Sequence, residues 1–449
     1  MQTQFTSEQL KNSKLAASEK SLRSCIHCGL CTATCPTYVL LHDELDSPRG
    51  RIYMIKDMLE NDKPASKEIA THIDRCLSCL SCTTTCPSDV DYMHLIDHAR
   101  SHIEQTYKRP LHDRVTRYFL ARLIPYPNRF RYALFMGWLM RPLAPIIKKL
   151  PGLKPFGAMI SLTPSLIPAR SPSESKVKFS PENKAIAGRV IMQNGCANPV
   201  LRPQTNDATI NILTRHGVEV IKAEKEGCCG SLVHHMGMED KALAQAKHNI
   251  DLWYDIIEDQ KIDAIIINTS GCGTTIKDYA FMLQDDPSYV AKAKTIVSLA
   301  KDITEYLDTI ELKPAAYVDN QVIAYHSACS MQHGQQIKET PKQLLKKVGF
   351  KVKNIAEGHL CCGSAGTYNI MQSEIAEQLK QRKVQNIEKT KPDAIAAGNI
   401  GCITQISTGT KLPIVHTVEL LDWATGGKLP SELKGNPMFD LYANNQISL

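Results

Sequence analysis

Sixteen cysteines are spread along this 449-residue chain, and eight of them fall into two copies of one pattern. Cys25, Cys28, Cys31 and Cys35 run into Pro36 with the spacing C-x2-C-x2-C-x3-C-P, and Cys76, Cys79, Cys82 and Cys86 run into Pro87 in the same way. Three thiolates at intervals of three residues can wrap one iron–sulfur cubane, while the fourth, four residues further on, points away toward another. The expected ligation is therefore crossed, with Cys25, Cys28, Cys31 and Cys86 on one [4Fe–4S] cluster and Cys76, Cys79, Cys82 and Cys35 on a second. Zinc is the alternative that thiolate softness permits, but zinc has no need of a repeated fourth Cys-Pro. An oxidised four-thiolate cubane carries a net charge of about −2, which backbone N–H groups and nearby cations must offset. Two such clusters close together make a conduit for electrons, not a catalyst.

The other eight cysteines form a second repeat. Cys196 precedes the Cys228-Cys229 pair by 32 residues, and Cys329 precedes Cys361-Cys362 by the same 32. Each pair is followed by Gly-Ser, and each half closes on a Gly-Cys, Cys272 at 43 residues after Cys229 and Cys402 at 40 after Cys362. Duplication accounts for this spacing. Cys196, Cys228, Cys229 and Cys272 would make one metal-holding set and Cys329, Cys361, Cys362 and Cys402 another; packing as small hydrophobes and a vicinal disulfide are the alternatives. His326, His333, His359 and His416 lie near these loops in sequence, as donors to cluster sulfur or as satisfied structural histidines. His234 and His235 read as surface or loop residues.

The elements that must position these residues can be read from the patterns around them. The fold class expected is α+β and multidomain. Residues 1–108 form a helical ferredoxin-like domain for two [4Fe–4S] clusters, because the 51 residues from Cys25 to Cys76 leave room for a helix such as that begun by Arg51-Ile-Tyr-Met-Ile-Lys. Residues 109–185 form a basic helical connector, closed by a Ser- and Pro-rich linker from Ser161 to Lys184. Residues 186–315 and 316–449 form two similar α/β halves. Short apolar runs alternate with helical patterns in both: Arg189-Val-Ile-Met, Val218-Glu-Val-Ile and Ala264-Ile-Ile-Ile, then Val322-Ile-Ala-Tyr, Phe350-Lys-Val-Lys and Ala394-Ile-Ala-Ala. Strands separated by helices imply parallel sheets, with the cysteines at the carboxyl edge where open α/β sheets place their sites.

With 43% hydrophobic and 22% charged residues, the composition is that of a soluble globular protein. The first twenty residues hold no apolar core of signal-peptide length and no run approaches the length of a membrane span, so a cytoplasmic protein is expected, with reduced thiols available to metal. The net charge is +7, yet Arg114 to Ser173 holds no Asp or Glu and ten basic residues, among them Arg129, Arg131, Arg141, Lys148 and Lys149. Phe130, Tyr132, Leu134, Phe135, Trp138, Leu139 and Met140 are interleaved with them. Such a stretch is either a docking surface, peripheral on the inner face of the cytoplasmic membrane or against a partner, or a solvated connector. No nucleic-acid-binding motif accompanies the basic patch. No glycine-rich dinucleotide fingerprint follows a strand, so a flavin or nicotinamide would be bound by another polypeptide.

The paired Cys-Cys-Gly halves resemble those of heterodisulfide reductase catalytic subunits, lactate-utilisation proteins and the third subunit of anaerobic glycerol-3-phosphate dehydrogenase. The resemblance is strongest to the iron–sulfur subunits of bacterial glycolate oxidase. It is carried by Ser47-Pro-Arg-Gly-Arg-Ile-Tyr-Met-Ile-Lys, Thr269-Ser-Gly-Cys-Gly with Lys277-Asp-Tyr, His326 to Cys329 with Gln332-His-Gly-Gln-Gln, and His359-Leu-Cys-Cys-Gly-Ser-Ala-Gly-Thr-Tyr. It implies an electron-transfer subunit of a glycolate oxidase complex, without catalytic residues of its own. An FAD-binding subunit would oxidise glycolate or a similar 2-hydroxy acid such as D-lactate, and the electrons would go on to membrane quinone. The competing reading is a heterodisulfide or thiol reductase acting at the Cys-Cys-Gly halves. That type ends each half in C-x2-C, whereas this chain has Thr275 and Gln405 at the last position, which argues against it.

Overall fold

A computed structural model describes residues 1–147, 149–150, 153–164, 166–182, 186–313, 318 and 321–443 of the chain. Lys148, Lys184 and the junction expected at 315/316 lie outside the described residues.

The N-terminal part is helical, and its central helix shows why. Ser47 caps the helix Pro48–Glu60 by accepting from the Gly50 N–H at 2.9 Å, and Pro48 supplies a first turn that needs no N–H donor. A Cβ on Gly50 would lie 2.1 Å from the Glu44 carbonyl, so only glycine lets the helix start so close to the preceding turn. One face of the helix then buries Ile52, Ile55, Met58 and Leu59 against Leu22, Ile73, Leu95, Ile96 and Ile103. At roughly 1.5–3 kcal/mol for each such side chain, this face holds the domain together.

The C-terminal part contains two open sheets. The strands are β1 (Lys178–Phe179), β2 (Gly188–Met192), β3 (Val218–Ile221), β4 (Ala264–Ile267), β5 (Ala300–Asp302), β6 (Val322–His326), β7 (Lys351–Asn354), β8 (Ala394–Ala397) and β9 (Ile414–His416). Their order is β1-β3-β2-β4-β5 in the first sheet and β7-β6-β8-β9 in the second. Every pairing is parallel except β1 with β3. The central strands are buried on both faces, as the unbroken run Ala264-Ile265-Ile266-Ile267 requires. Helix Pro203–Arg215 of the first half and helix Thr417–Ala424 of the second pack into one shared core with Leu213, Val418 and Trp423. The carboxyl edges of the two sheets meet, for the Ser270 N–H donates to the Gly398 carbonyl at 3.2 Å and the Ser270 and Ser330 hydroxyls lie 2.7 Å apart.

The basic segment forms helices Leu111–Leu123, Pro127–Met140 and Lys154–Ser161. Leu120 and Ala121 are buried with Val233, Met236 and Ile370, so the segment is attached to both halves. One expectation needs correction here. The stretch from Ser161 to Lys184 is not only linker, because it contributes β1 to the edge of the first sheet. Nor does the acid-free run go without counter-charges. Arg117 reaches Asp74 and Asp113 at 3.1 Å each, and Arg131 reaches Glu174 at 2.6 Å, so carboxylates flanking the run and one from the helical domain neutralise part of it. Arg114, Arg122, Arg129, Arg141 and Lys149 remain exposed. Most of the exposed large apolar side chains among the described residues lie in the same segment, including Tyr132, Phe135, Leu139 and Ile146. No helix among the described residues is long and apolar enough to cross a membrane.

The helical domain sits against both halves. His94 bridges Asp91 at 2.6 Å and Asp278 at 2.8 Å while its ring stacks on Phe281 at 3.4 Å. On the other side the Tyr368 hydroxyl donates to the Arg75 carbonyl at 3.0 Å. His234 and His235, expected as surface or loop residues, instead face the domain boundary, where His234 Nε2 lies 3.2 Å from Asp97 and His235 Nδ1 3.7 Å from it.

Candidate iron–sulfur sites

The two cysteine loops of the helical domain fold alike. His27 and Ser78, each the residue before a motif's second cysteine, have φ of 56° and 46°, and Gly29 and Leu80, each the residue after it, have φ of 81° and 60°. Left-handed backbone at His27, Ser78 and Leu80 is unfavourable for L-residues, and it curls each loop inward on its own sulfurs. The structure then brings the cysteines round two cavities. Cys25, Cys28, Cys31 and Cys86 line the first, with Cys82 at its edge. Cys35, Cys76, Cys79 and Cys82 line the second. The groups are those of the crossed arrangement, each taking its fourth cysteine from the other motif.

Burial sets the state of these thiols. Burial and the neighbouring Cys25 push the Cys31 thiol up to about 11. Burial and nearby sulfurs raise Cys79 and Cys82 well above the usual thiol range. Thiolates in these cavities therefore need a cation, which the iron of a cluster supplies. The donor set fits iron–sulfur clusters: four soft ligands per cavity and no buried carboxylate lining either.

Arg51, a residue whose role the sequence did not reveal, lies at the second cavity. Its side chain is 1% exposed, and its guanidinium donates to Cys35 Sγ at 3.8 Å, to Thr37 Oγ1 at 3.1 Å and to the His72 carbonyl at 2.8 Å. Asp46, itself fully buried, balances the charge by accepting from Arg51 at 3.3 Å, Arg75 at 2.8 Å and His72 at 3.0 Å. The Tyr92 hydroxyl donates to Cys76 Sγ at 3.8 Å. These are the donors that a dianionic cluster requires. The only hint of Arg51 in the sequence was its place in Ser47-Pro-Arg-Gly-Arg.

The second set of cysteines lies at the carboxyl edges of the two sheets. Cys196 and Cys329 follow β2 and β6, while Cys272 and Cys402 sit in the first turns of helices Ser270–Lys277 and Ile400–Ser407, after β4 and β8. The vicinal pairs come from loops that end on Gly230 (φ 90°) and Gly363 (φ 86°). A Cβ on these glycines would lie 3.0 Å and 2.6 Å from the carbonyls of Ala242 and Ala376, which explains the Cys-Cys-Gly pattern. Cys196, Cys228, Cys229 and Cys272 gather in one apolar cluster. In the second half Cys329 Sγ lies 3.7 Å from Cys361 Sγ, and the Gly363 N–H donates to Cys361 Sγ at 3.4 Å. A hydrogen bond with Cys362 and the neighbouring His326 hold the Cys402 thiol down to about 6. Burial instead pushes Glu226, before the first vicinal pair, up to about 8. The second half also adjoins the helical domain's second cavity, since Cys79, Cys329, Cys361 and Tyr368 pack in one cluster.

Of the four histidines near these loops, His326 alone belongs to a group of candidate metal donors, with Cys362 and Cys402. His333 joins the domains, bonding Thr84 Oγ1 at 2.8 Å and the His359 carbonyl at 3.2 Å. His416 is a helix cap, accepting from the Val418 N–H at 3.1 Å. His359 is half-buried. Gln405, where a further cysteine would stand, is bound to Asn369 at 3.1 Å and to the Ala376 carbonyl at 3.3 Å.

Helical cysteine loops ahead of duplicated Cys-Cys-Gly sheets define an iron–sulfur protein of dicluster type with paired cysteine-rich domains. The chain matches the 4Fe-4S dicluster domain over residues 21–90 and the cysteine-rich domain over 190–277 and again over 323–407. It is 39% identical over 425 residues to the glycolate oxidase iron-sulfur subunit of Escherichia coli (strain K12), a match covering 94% of this chain and 99% of that protein. It is 30% identical over 446 residues to the probable glycolate oxidase iron-sulfur subunit of Bacillus subtilis (strain 168), covering 95% and 100%. Lactate utilization protein A of Shouchella clausii (strain KSM-K16) is 26% identical over 234 residues, 51% of this chain and 95% of that protein. A hypothetical protein from Helicobacter pylori shares the fold, with a TM-score of 0.54 at 12% identity over 94% of this chain and 74% of that one. The chain belongs to the glycolate oxidase iron–sulfur subunit family, a family of oxidoreductase subunits with an electron-transfer role.

Proposed function

We propose that this chain carries electrons from an FAD-binding partner that oxidises glycolate, or a related 2-hydroxy acid, toward membrane quinone. The observation that carries this reading is the pair of cavities, each lined by a crossed set of four cysteines, one set reaching the surface at Cys28 and the other wholly buried. Clusters bound there supply one-electron transfer at potentials that charge and hydrogen bonding tune. Cys25, Cys28, Cys31 and Cys86 hold the first and Cys76, Cys79, Cys82 and Cys35 the second. Arg51 and Tyr92 offset charge at the second cavity, and the Cys-Cys-Gly halves hold further metal.

Cys28 is exposed, and around it Ile26 (68% exposed), Leu30 (55%) and Tyr53 (55%) form an apolar rim. Apolar side chains ringing the surface site suit the flavoprotein contact, where short distance and exclusion of water both matter. The basic, aromatic face of helices Leu111–Leu123 and Pro127–Met140 suits an anionic membrane surface, next to the quinone pool.

Anaerobic isolation followed by iron, acid-labile sulfide and zinc analysis tests the cofactor assignment. Two cubanes give about eight iron atoms per chain, and loaded C-terminal halves give more. A protein with zinc in place of iron and sulfide would sink the electron-transfer reading.

A further inference from the structure

The duplication sets the two halves side by side, residue for residue. The Arg189 and Val322 carbonyls each accept an N–H at 2.8 Å, from Asp263 and Asp393, and their own N–H groups each donate to those aspartates' carboxylates at 2.7 Å. Arg189 and Val322 are therefore equivalent, and four residues on Gln193 is equivalent to His326. Gly230 packs on Ala242 and Gly363 on Ala376 in the same manner. Seven residues beyond those alanines, Asn249 is equivalent to Lys383. At both places the second half carries a basic side chain where the first carries an amide.

His326 and Lys383 are both 2% exposed. His326 Nε2 has no hydrogen-bond partner among the described residues. A donor nitrogen of His326, the Cys362 sulfur and the Cys402 sulfur all lie within 4.8 Å of one another, and no such group arises in the first half among the described residues. Gln193 Nε2 is also buried and unpartnered, but an amide nitrogen has no free lone pair with which to bind iron. The Lys383 ammonium donates to the Glu357 carbonyl at 2.9 Å, while the Glu357 carboxylate is taken up by Arg382 and Asn386. Burial works against the charge of Lys383, and among the described residues the thiols of Cys362, Cys361, Cys329 and Cys402 are the groups that act to keep it. Asn249 is instead occupied by the backbone of its own vicinal loop, accepting from the Gly227 N–H at 2.9 Å and donating to the Cys228 carbonyl at 3.1 Å.

We propose that the second half is a five-donor iron site formed by Cys329, Cys361, Cys362, Cys402 and the imidazole of His326, and that the first half lacks the fifth donor. Lys383 supplies a fixed positive charge behind the second set, and β6, lying beside β8, brings His326 to Cys402 across 76 residues of chain. The proposal rests on the reading that the Cys-Cys-Gly halves take metal, and it assigns the two halves unequal roles.

The test uses the full-length chain, isolated anaerobically after labelling with 15N-histidine. Unmodified protein and His326→Gln are compared, the latter placing the first half's own side chain in the equivalent position. Iron analysis and pulsed EPR of the reduced proteins are the readouts, with the signals of the N-terminal clusters reporting that each variant is folded. The expected result is iron above about eight atoms per chain and a 15N coupling of the size of a directly bound nitrogen, lost in His326→Gln. Iron above about eight with no histidine coupling, or with one that survives His326→Gln, overturns the five-donor site and leaves metal in the halves standing. An unmodified protein with no iron beyond about eight overturns both.

Discussion

Cys35 lies four residues beyond Cys31, yet it lines the cavity of Cys76, Cys79 and Cys82. Pro36 starts the helix Pro36–Leu41 at that point, and Arg51 donates to the Cys35 sulfur from the far side. Replacing Cys35 by Ser is therefore expected to remove or distort the cluster of Cys76, Cys79 and Cys82 and to leave that of Cys25, Cys28 and Cys31 intact. EPR of the reduced variant checks this, and loss of the other signal would overturn the crossed assignment. The grouping of the eight cysteines that line the two cavities could be read from the sequence, because thiol spacing within a tight loop is a local property. Arg51 was not legible in its role, and His326 was only one of four histidines near the loops, because a buried cation and an imidazole find their sulfurs through contacts that only the folded chain creates. His326 stands three residues before Cys329, but it is the pairing of β6 with β8 that aims it at Cys402.

Helices and strands decide what those residues face. His94 projects from helix Tyr92–Thr106 into the gap beside helix Ser270–Lys277. Although burial works against its charge, the hydrogen bonds its ring donates to Asp278 and Asp91 raise its pKa to about 10. A free imidazole titrates near 6.5, so the stabilisation is complete below about pH 6.5 and is lost as the pH rises toward 10. Thermal unfolding followed from pH 6 to 10 should show a fall that His94→Gln largely abolishes; equal slopes in both proteins would remove His94 from the account. The exposed cations of the basic helices lead to a second expectation. Reversing Arg129, Arg141 and Lys149 to Glu should weaken binding to anionic vesicles by about 1 kcal/mol per lost cation, with binding of the unmodified protein falling steeply as salt rises. Arg131 is left out because Glu174 already neutralises it. Co-sedimentation that is unchanged by the three reversals would make this face a solvated connector. Six strands were readable as apolar runs, with β7 displaced by one residue. β1, β5 and β9 were not, since strands of two or three residues carry too little pattern and owe their existence to the edge they join.

For the molecule as a whole, the cysteine sites form a sequence from surface to interior. The first cavity opens beside exposed Cys28, the second is shielded by Arg51 and Tyr92, and Cys79 of the second packs with Cys329 and Cys361 of the second half. The first half keeps its four cysteines in a separate apolar cluster. This order was hidden from the sequence because it depends on how the helical domain docks, through His94, Asp97 and Tyr368, on two halves that look interchangeable in spacing. Duplication preserved the scaffold of both halves, while the helical domain's position and the residues at 193/326 and 249/383 made them unequal. The central claim, that these sites carry electrons from a flavoprotein, is tested most directly by mixing the anaerobic holo-chain with the FAD-binding partner proposed for it and adding glycolate. Within turnover time, the EPR signals of reduced clusters on this chain should appear and should depend on both partner and glycolate. A flavin that becomes reduced while the clusters of this chain stay oxidised would contradict the account.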